Sequence, residues 1–559
     1  MKAKIFLLLK RLARFIFFLI LCSSYLLPAQ SRDKPQHPES ELIENIIQHI
    51  NYLASDELQG RGTGTTGERL AAEYIVQTLK KYGLRPAGEN QSFFQNIPMI
   101  GSSPLASSKM TLFYPDSIHD LTLNNDYLLY KSGAQTYIPA ALPLVFVGYG
   151  IIAPEYDHND YQAVDVSGKI VVCLQGEPQY DDPDYFDGPN PTIYSYAESK
   201  QRQAISQGAL GTIIIPHPAY LDRENWEHKK REFSSEDVTL AYRATGHLGV
   251  LMNSVTAQKL FIDAPVSYEH LSELDQRHGL YSFELPVKLA FRGQFREREF
   301  IARNIAALLP GKDAVLRDTY LLVSAHYDHL GIGLAVDGDS IYNGLVDNAL
   351  GVAGVLELAR LLHTSAEAPR RSILFLFLTG EEKGLLGSRY YIDNPLIPLH
   401  RTIANINVDG LAIFDRFTGV VGLGSDYSTL GEILEAVARL NGYQAMPVPA
   451  PFLYFESFAR SDQFAFAHGG IPGILISDGL GYENLTPQEG LNKWLEWQEN
   501  IYHSPFDDLN QPINFFAVEQ HVKFLFDFIS RLSRMNQQPQ WKSGVPFRMY
   551  QLRVIAEQR

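Results

Sequence analysis

Apolar and polar residues follow one another along the chain in three successive textures. Between 41 and about 81 the apolar positions recur at helical spacing, which predicts two helices, the second over 68–82 and stopped by Gly83. The stretch between them, Gly60-Arg61-Gly62-Thr63-Gly64-Thr65-Thr66-Gly67, follows no apolar strand and lacks the Gly-Lys-Ser/Thr ending of a phosphate loop, so it reads as a surface loop. From about 100 to 295 short apolar runs at 144–147, 170–172 and 212–215 are divided by Pro, Asp and Gly, with one helical stretch at 197–208. That texture predicts a β-rich module. From about 300, continuous apolar strands at 320–323, 373–378, 403–406 and 471–476 alternate with helical segments such as 349–363. Strands that are apolar throughout are covered on both faces, so this part is predicted to be an α/β domain with a mostly parallel central sheet flanked by helices.

The length of 559 residues exceeds what one compact core holds. With 45% hydrophobic and 20% charged residues, the composition excludes both a disordered chain and a multi-pass membrane protein. The formal net charge is -15 and becomes -20 without the first 29 residues, which carry five positive charges and no acid. Such a balance opposes nucleic-acid binding. The basic start is followed by a short apolar run and then Pro28-Ala29-Gln30, the pattern of a secretory signal cut near Ala29. This implies export to a periplasmic or extracellular space, without stable membrane insertion after cleavage; retention as an anchor and lipidation at Cys22 are the other readings. Beyond the signal Cys173 is the sole cysteine, set in an apolar run and expected to be a buried core thiol.

In α/β sheets ligands bind beyond the carboxyl ends of the strands, so the residues following each apolar run carry the information. They are Ala325-His326-Tyr327-Asp328-His329, then Asn343-Gly344 to Asp347-Asn348-Ala349, Gly380-Glu381-Glu382-Lys383-Gly384, Val408-Asp409-Gly410 and, further on, Tyr502-His503 to Asp507. Singly each has an ordinary explanation: a helix cap, a solvated Glu pair, a satisfied loop histidine. Together they gather histidines and several carboxylates at one sheet edge, where mutual repulsion calls for a cationic centre. Nitrogen and oxygen donors without thiolate favour Zn²⁺, with Mn²⁺ or Co²⁺ as replacements.

These motifs, with Leu58-Gln59-Gly60-Arg61-Gly62-Thr63-Gly64 near the start, resemble metallopeptidase family 28, the co-catalytic di-zinc aminopeptidases, over about residues 45–530. The central region, with Tyr161-Gln162-Ala163-Val164-Asp165 and the run that follows, resembles the inserted protease-associated domain of many members. The resemblance implies a zinc-peptidase fold with catalytic segments 41–100 and 296–535 around an insert at 101–295, preceded by a signal at 1–29 and a linker at 30–40 and followed by a tail at 536–559. It implies two Zn²⁺ per chain: His326 and Asp409 on one, Glu382 and His503 on the other, Asp347 bridging. Glu381 is then the general base, Asp328 accepts the second N–H of His326, and the Asp347-Asn348 peptide is cis. The chain departs from the family pattern at Val346 and Leu350, neither a ligand position.

The function implied is hydrolysis of amino-terminal residues from peptides. Three alternatives stand beside it. A carboxypeptidase of the same superfamily needs a cationic pocket, for which Arg460 beside Ser461-Asp462 is the candidate. A glutaminyl cyclase uses one zinc and usually lacks a large insert. A binding protein on this fold loses metal ligands, whereas all five positions and Glu381 are present here. Trp494 and Trp497 read either as part of a site-capping loop or as helix packing.

Overall fold

The apolar runs of the carboxyl-terminal half lie in the middle of a ten-stranded mixed sheet. In chain order its main strands are β1 (Phe94–Pro104), β2 (Asp237–Leu240), β3 (Phe295–Leu309), β4 (Tyr320–His326), β5 (Ser372–Leu378), β6 (Thr402–Asn407), β7 (Gly419–Leu423), β8 (Gln444–Met446) and β9 (Gly473–Asp478). The spatial order is β2-β1-β3-β5-β4-β6-β9-β7-β8, with the short strand Arg85–Pro86 beside β3. The central strands β5, β4, β6 and β9 run parallel, as their buried faces require. The flanks are antiparallel, through β3 against β5 on one side and β7 against β9 on the other.

The computed structural model describes residues 40–130, 136–179, 185–186, 192–233, 235–244, 246–449 and 458–557. The expected signal at 1–29, nearly all of the linker and the segment 451–455, whose aromatic residues read from sequence either as specificity-pocket lining or as core, lie outside the described residues. Among the described residues no helix is long and apolar enough to cross a membrane.

Five helices bear on the site: α1 (Trp226–Phe233), α2 (Leu350–Thr364), α3 (Leu386–Asp393), α4 (Pro487–Asn500) and α5 (Phe515–Arg534). One face of the sheet meets α2, which also packs against α5. On the other face Leu322, Leu374 and Leu376 pack with Tyr391 of α3 and with Phe466. Helix starts are set chemically. Thr486 and Glu489 form a capping box ahead of α4, with Pro487 at its first turn. The Asn514 side chain accepts the N–H groups of Phe516 and Ala517 at the start of α5.

The predicted β-rich module is present as an eight-stranded sheet built from segments between Lys109 and Arg292. Tyr137–Phe146, Ile170–Leu174, Gly211–Ile215 and Leu248–Met252 run parallel through its centre. Cys173 is buried there, and burial pushes its thiol up to about 12. The chain first leaves and last re-enters the larger sheet through one ladder: β1 and β3 pair antiparallel from Phe94↔Ile305 to Pro104↔Phe295. β1 thus runs across the expected boundary at 100/101. β2, from inside the 101–295 range, hydrogen-bonds to β1 at the edge of the larger sheet.

Candidate metal centre

The parallel strands bring their carboxyl ends to one edge, and the predicted residues meet there. His326 ends β4, and Asp409 follows β6 by two residues. Glu381 and Glu382 follow β5, while Asp347 lies in the turn before α2 and His503 in the loop after α4. His326 Nε2 is 3.1 Å from Asp409 Oδ1 and 3.1 Å from Asp347 Oδ1. His503 Nε2 is 3.1 Å from Glu382 Oε2 and 3.3 Å from Asp347 Oδ2. Donor atoms of His326, Asp347 and Glu382 all lie within 4.8 Å of one another. The Asp347-Asn348 peptide is cis, as expected. Its turn is held by Asn348, whose amide donates to Val408 O and whose Oδ1 accepts the Gly410 N–H.

Asp328 departs from expectation. The atom facing His326 Nδ1 is the Asp328 backbone carbonyl, at 3.1 Å, while the carboxylate stands at 3.9 Å. That carboxylate instead accepts from the Thr63 hydroxyl at 3.0 Å and the Glu381 N–H at 3.2 Å. The cause is the turn after β4, which folds the carbonyl back over the imidazole and points the side chain toward the β5 loop.

Three residues were not assigned from sequence. His329 Nδ1 sits 2.6 Å from Glu382 Oε1, and its position three residues after His326 was the available signal. Asp507 accepts the backbone N–H groups of Val346 and Asp347 at 3.0 Å each, fixing the turn that presents Asp347. Arg61 is fully buried and donates to the carbonyls of Leu53, Tyr327, Asn343 and Gly344 at 2.5–2.9 Å.

The glycine-rich stretch is therefore not a surface loop in its first half, since Gly60, Arg61 and Thr63 are buried. At Gly60, with φ +68°, a Cβ would sit 2.3 Å from Tyr342 O, so only glycine fits. Replacing Arg61 by Ala is expected to lower stability by about 3–5 kcal/mol, because four carbonyls lose their donor in a buried place. Denaturant unfolding of the variant measures this; an unchanged midpoint would remove the staple from the account.

Burial penalises the charges of His326, His503, Asp347, Glu382 and Glu381, yet opposite charges prevail at all but the last. Against burial, Asp409 and Glu381 hold His326 well above the usual imidazole range, and Glu382 with Asp347 raises His503 to about 10. Glu382 is held well below the carboxylate range by His503 and His329, and Asp347 below it by His326 and His503, in both cases against burial. Glu381 goes the other way. Burial, with Glu382 and Asp409, outweighs His326 and holds it well above the carboxylate range. Among the described residues His503 Nδ1 and His329 Nε2 are buried without a hydrogen-bond partner. Orphaned imidazole nitrogens among crowded carboxylates, with no thiolate, suit a divalent cation of the zinc type.

The inserted module reaches this edge through α1. Its His228 ring stacks 5.9 Å from His503 and 5.8 Å from Tyr502, and Arg231 donates to His503 O at 3.3 Å. Trp494 and Trp497 of α4 line a cavity of about 210 Å³ that also touches Asp347, Glu381 and Asp409. They belong to a helix whose one side faces the site, which joins the two readings made from sequence.

The fold and the donor set define a metallopeptidase. Residues 304–529 match the model of Peptidase family M28. An aminopeptidase of Pseudomonas aeruginosa is 23% identical over 517 residues, which cover 90% of this chain and 82% of that protein. A vacuolar membrane protease of Verticillium alfalfae is 32% identical over 190 residues, or 34% of this chain, and the match spans only 15% of that protein's length. The solved aminopeptidase from Aneurinibacillus sp. strain AM-1 superposes with a TM-score of 0.51 at 18% identity, covering 87% of this chain and 93% of that one, which shows the shared fold.

Proposed function

We propose that this metallopeptidase is an exported di-zinc aminopeptidase acting on the free amino termini of peptides. The observation that carries the reading is the division of Asp347: one oxygen faces His326 beside Asp409, the other faces His503 beside Glu382. We assign His326 and Asp409 to one Zn²⁺, Glu382 and His503 to the second, and Asp347 to both. Zinc, when bound, lowers the pKa of a water toward about 7 and polarises a carbonyl.

The chain's own groups supply the rest. Glu381 takes the proton of the attacking water and returns it to the departing amine. Asp328 holds Glu381 through its N–H and orients His326 through its carbonyl. His329 and Asp507 orient Glu382 and Asp347. The surrounding carboxylates attract an ammonium, and the Pseudomonas relative named an aminopeptidase supports the same end of the peptide.

We assign the module between β1 and β3 to the protease-associated type and keep 41–100 with 296–535 as the catalytic part. Export rests on the basic and apolar start of the sequence. The test is metal analysis of the purified protein with hydrolysis of aminoacyl-anilides and of the same peptides with blocked amino termini. Two zinc equivalents and a requirement for a free amine are expected. Cleavage of blocked peptides bearing a free carboxylate would replace the reading by a carboxypeptidase, and ammonia release from amino-terminal glutamine by a cyclase.

A further inference from the structure

The 210 Å³ cavity beside Glu381 is walled by Leu411, Ile413, Leu423, Leu475 and the indoles of Trp494 and Trp497. One carboxylate in its lining belongs to none of the groups discussed so far: Asp478, the last residue of β9. Its place follows from the register. Asn407 of β6 pairs with Leu475 of β9 in parallel, so two residues further on one strand delivers Asp409 and its neighbour delivers Ser477 and Asp478 to the same edge. Asp478 is half-buried. Its Oδ2 accepts from the Tyr482 hydroxyl at 2.8 Å and its Oδ1 from the Ser477 hydroxyl at 3.1 Å.

Burial pushes it above the usual carboxylate range, against hydrogen bonds from Tyr482, Ser477 and its own backbone N–H. Arg460, the cation that also lines the cavity, is engaged elsewhere: its Nη2 lies 3.4 Å from Glu232 Oε1 and 3.4 Å from the Tyr502 hydroxyl. An acid in an apolar wall, held by two hydroxyls and, among the described residues, paired with no cation, is the arrangement that a cationic ligand completes.

We propose that this cavity takes the side chain of the substrate's amino-terminal residue and that Asp478 selects Lys or Arg there. The inference rests on the aminopeptidase reading and sharpens it to peptides with a basic first residue. The methylene stem of such a side chain covers the apolar walls, the indole faces attract its charge, and the head group meets Asp478.

The test compares kcat/KM of the full, zinc-loaded enzyme on the anilides of lysine, arginine and norleucine, the last having a lysine-like stem without the charge. The wild type is expected to favour lysine and arginine over norleucine by about 10- to 100-fold. Asp478→Asn is expected to abolish that preference while zinc content and norleucine turnover stay as they were, and Asp478→Glu to keep it. A wild type that cleaves norleucine-anilide as well as lysine-anilide overturns the proposal alone, as does an Asp478→Asn variant that slows all three equally. A wild type that binds zinc and cleaves no anilide overturns the aminopeptidase reading and this proposal with it.

Discussion

Glu381→Gln is expected to bind the full complement of zinc and to lose about 10²- to 10⁴-fold in kcat, the usual contribution of a positioned proton-transfer group. The substitution is nearly isosteric. It leaves in place the backbone N–H that Asp328 accepts, so the loop after β5 keeps its course. KM should change little, because the group acts on a proton that moves only in the reaction. Steady-state kinetics with metal analysis on the same preparation decide the matter, and a variant with full turnover would remove Glu381 from the mechanism.

His503→Ala is expected to lose one zinc equivalent and all measurable turnover. Its Nε2 is the nitrogen facing both Glu382 and Asp347, and without it that side of the cluster keeps two carboxylates and the more distant His329. A chelator competition should show affinity at that position falling by more than the 10- to 100-fold typical of an outer partner. His329→Ala should fall within that smaller range, since we assign it to orient Glu382 rather than to bind metal. Two equivalents retained in His503→Ala would overturn the ligand assignment.

Much of this site could be read from the chain because four of the five ligand candidates sit at or just past the end of an apolar strand or just before a helix, with His503, in the loop after α4, the exception. Parallel strands buried on both faces announce themselves as unbroken apolar runs, and their carboxyl ends converge. What escaped the reading acts at long range through the backbone. Arg61 reaches carbonyls at Asn343 and Gly344, and Asp507 reaches N–H groups at Val346 and Asp347; nothing local marks either. A charged residue between glycines has the look of solvated chain, so the burial of Arg61 is visible only once the sheet assembles. The role of Asp328 was misplaced between two atoms of one residue, a distinction that spacing does not carry. The approach of α1 to His503 joins segments of different sheets, and no periodicity encodes it.

The pairing of Pro104 with Phe295 has a topological consequence. The chain leaves the catalytic sheet and re-enters it at neighbouring positions, so the β-rich module is a branch whose ends are closed by the ladder, with one return to the sheet between them at β2. Loop-closure entropy grows only slowly with length, so segments between these roots can grow or shrink at little cost to the register of the strands that present the site. The same rooting sets where variation would be felt. Changes far from β2 and the ladder leave the sheet alone, whereas changes in α1 arrive directly at the imidazole of His503.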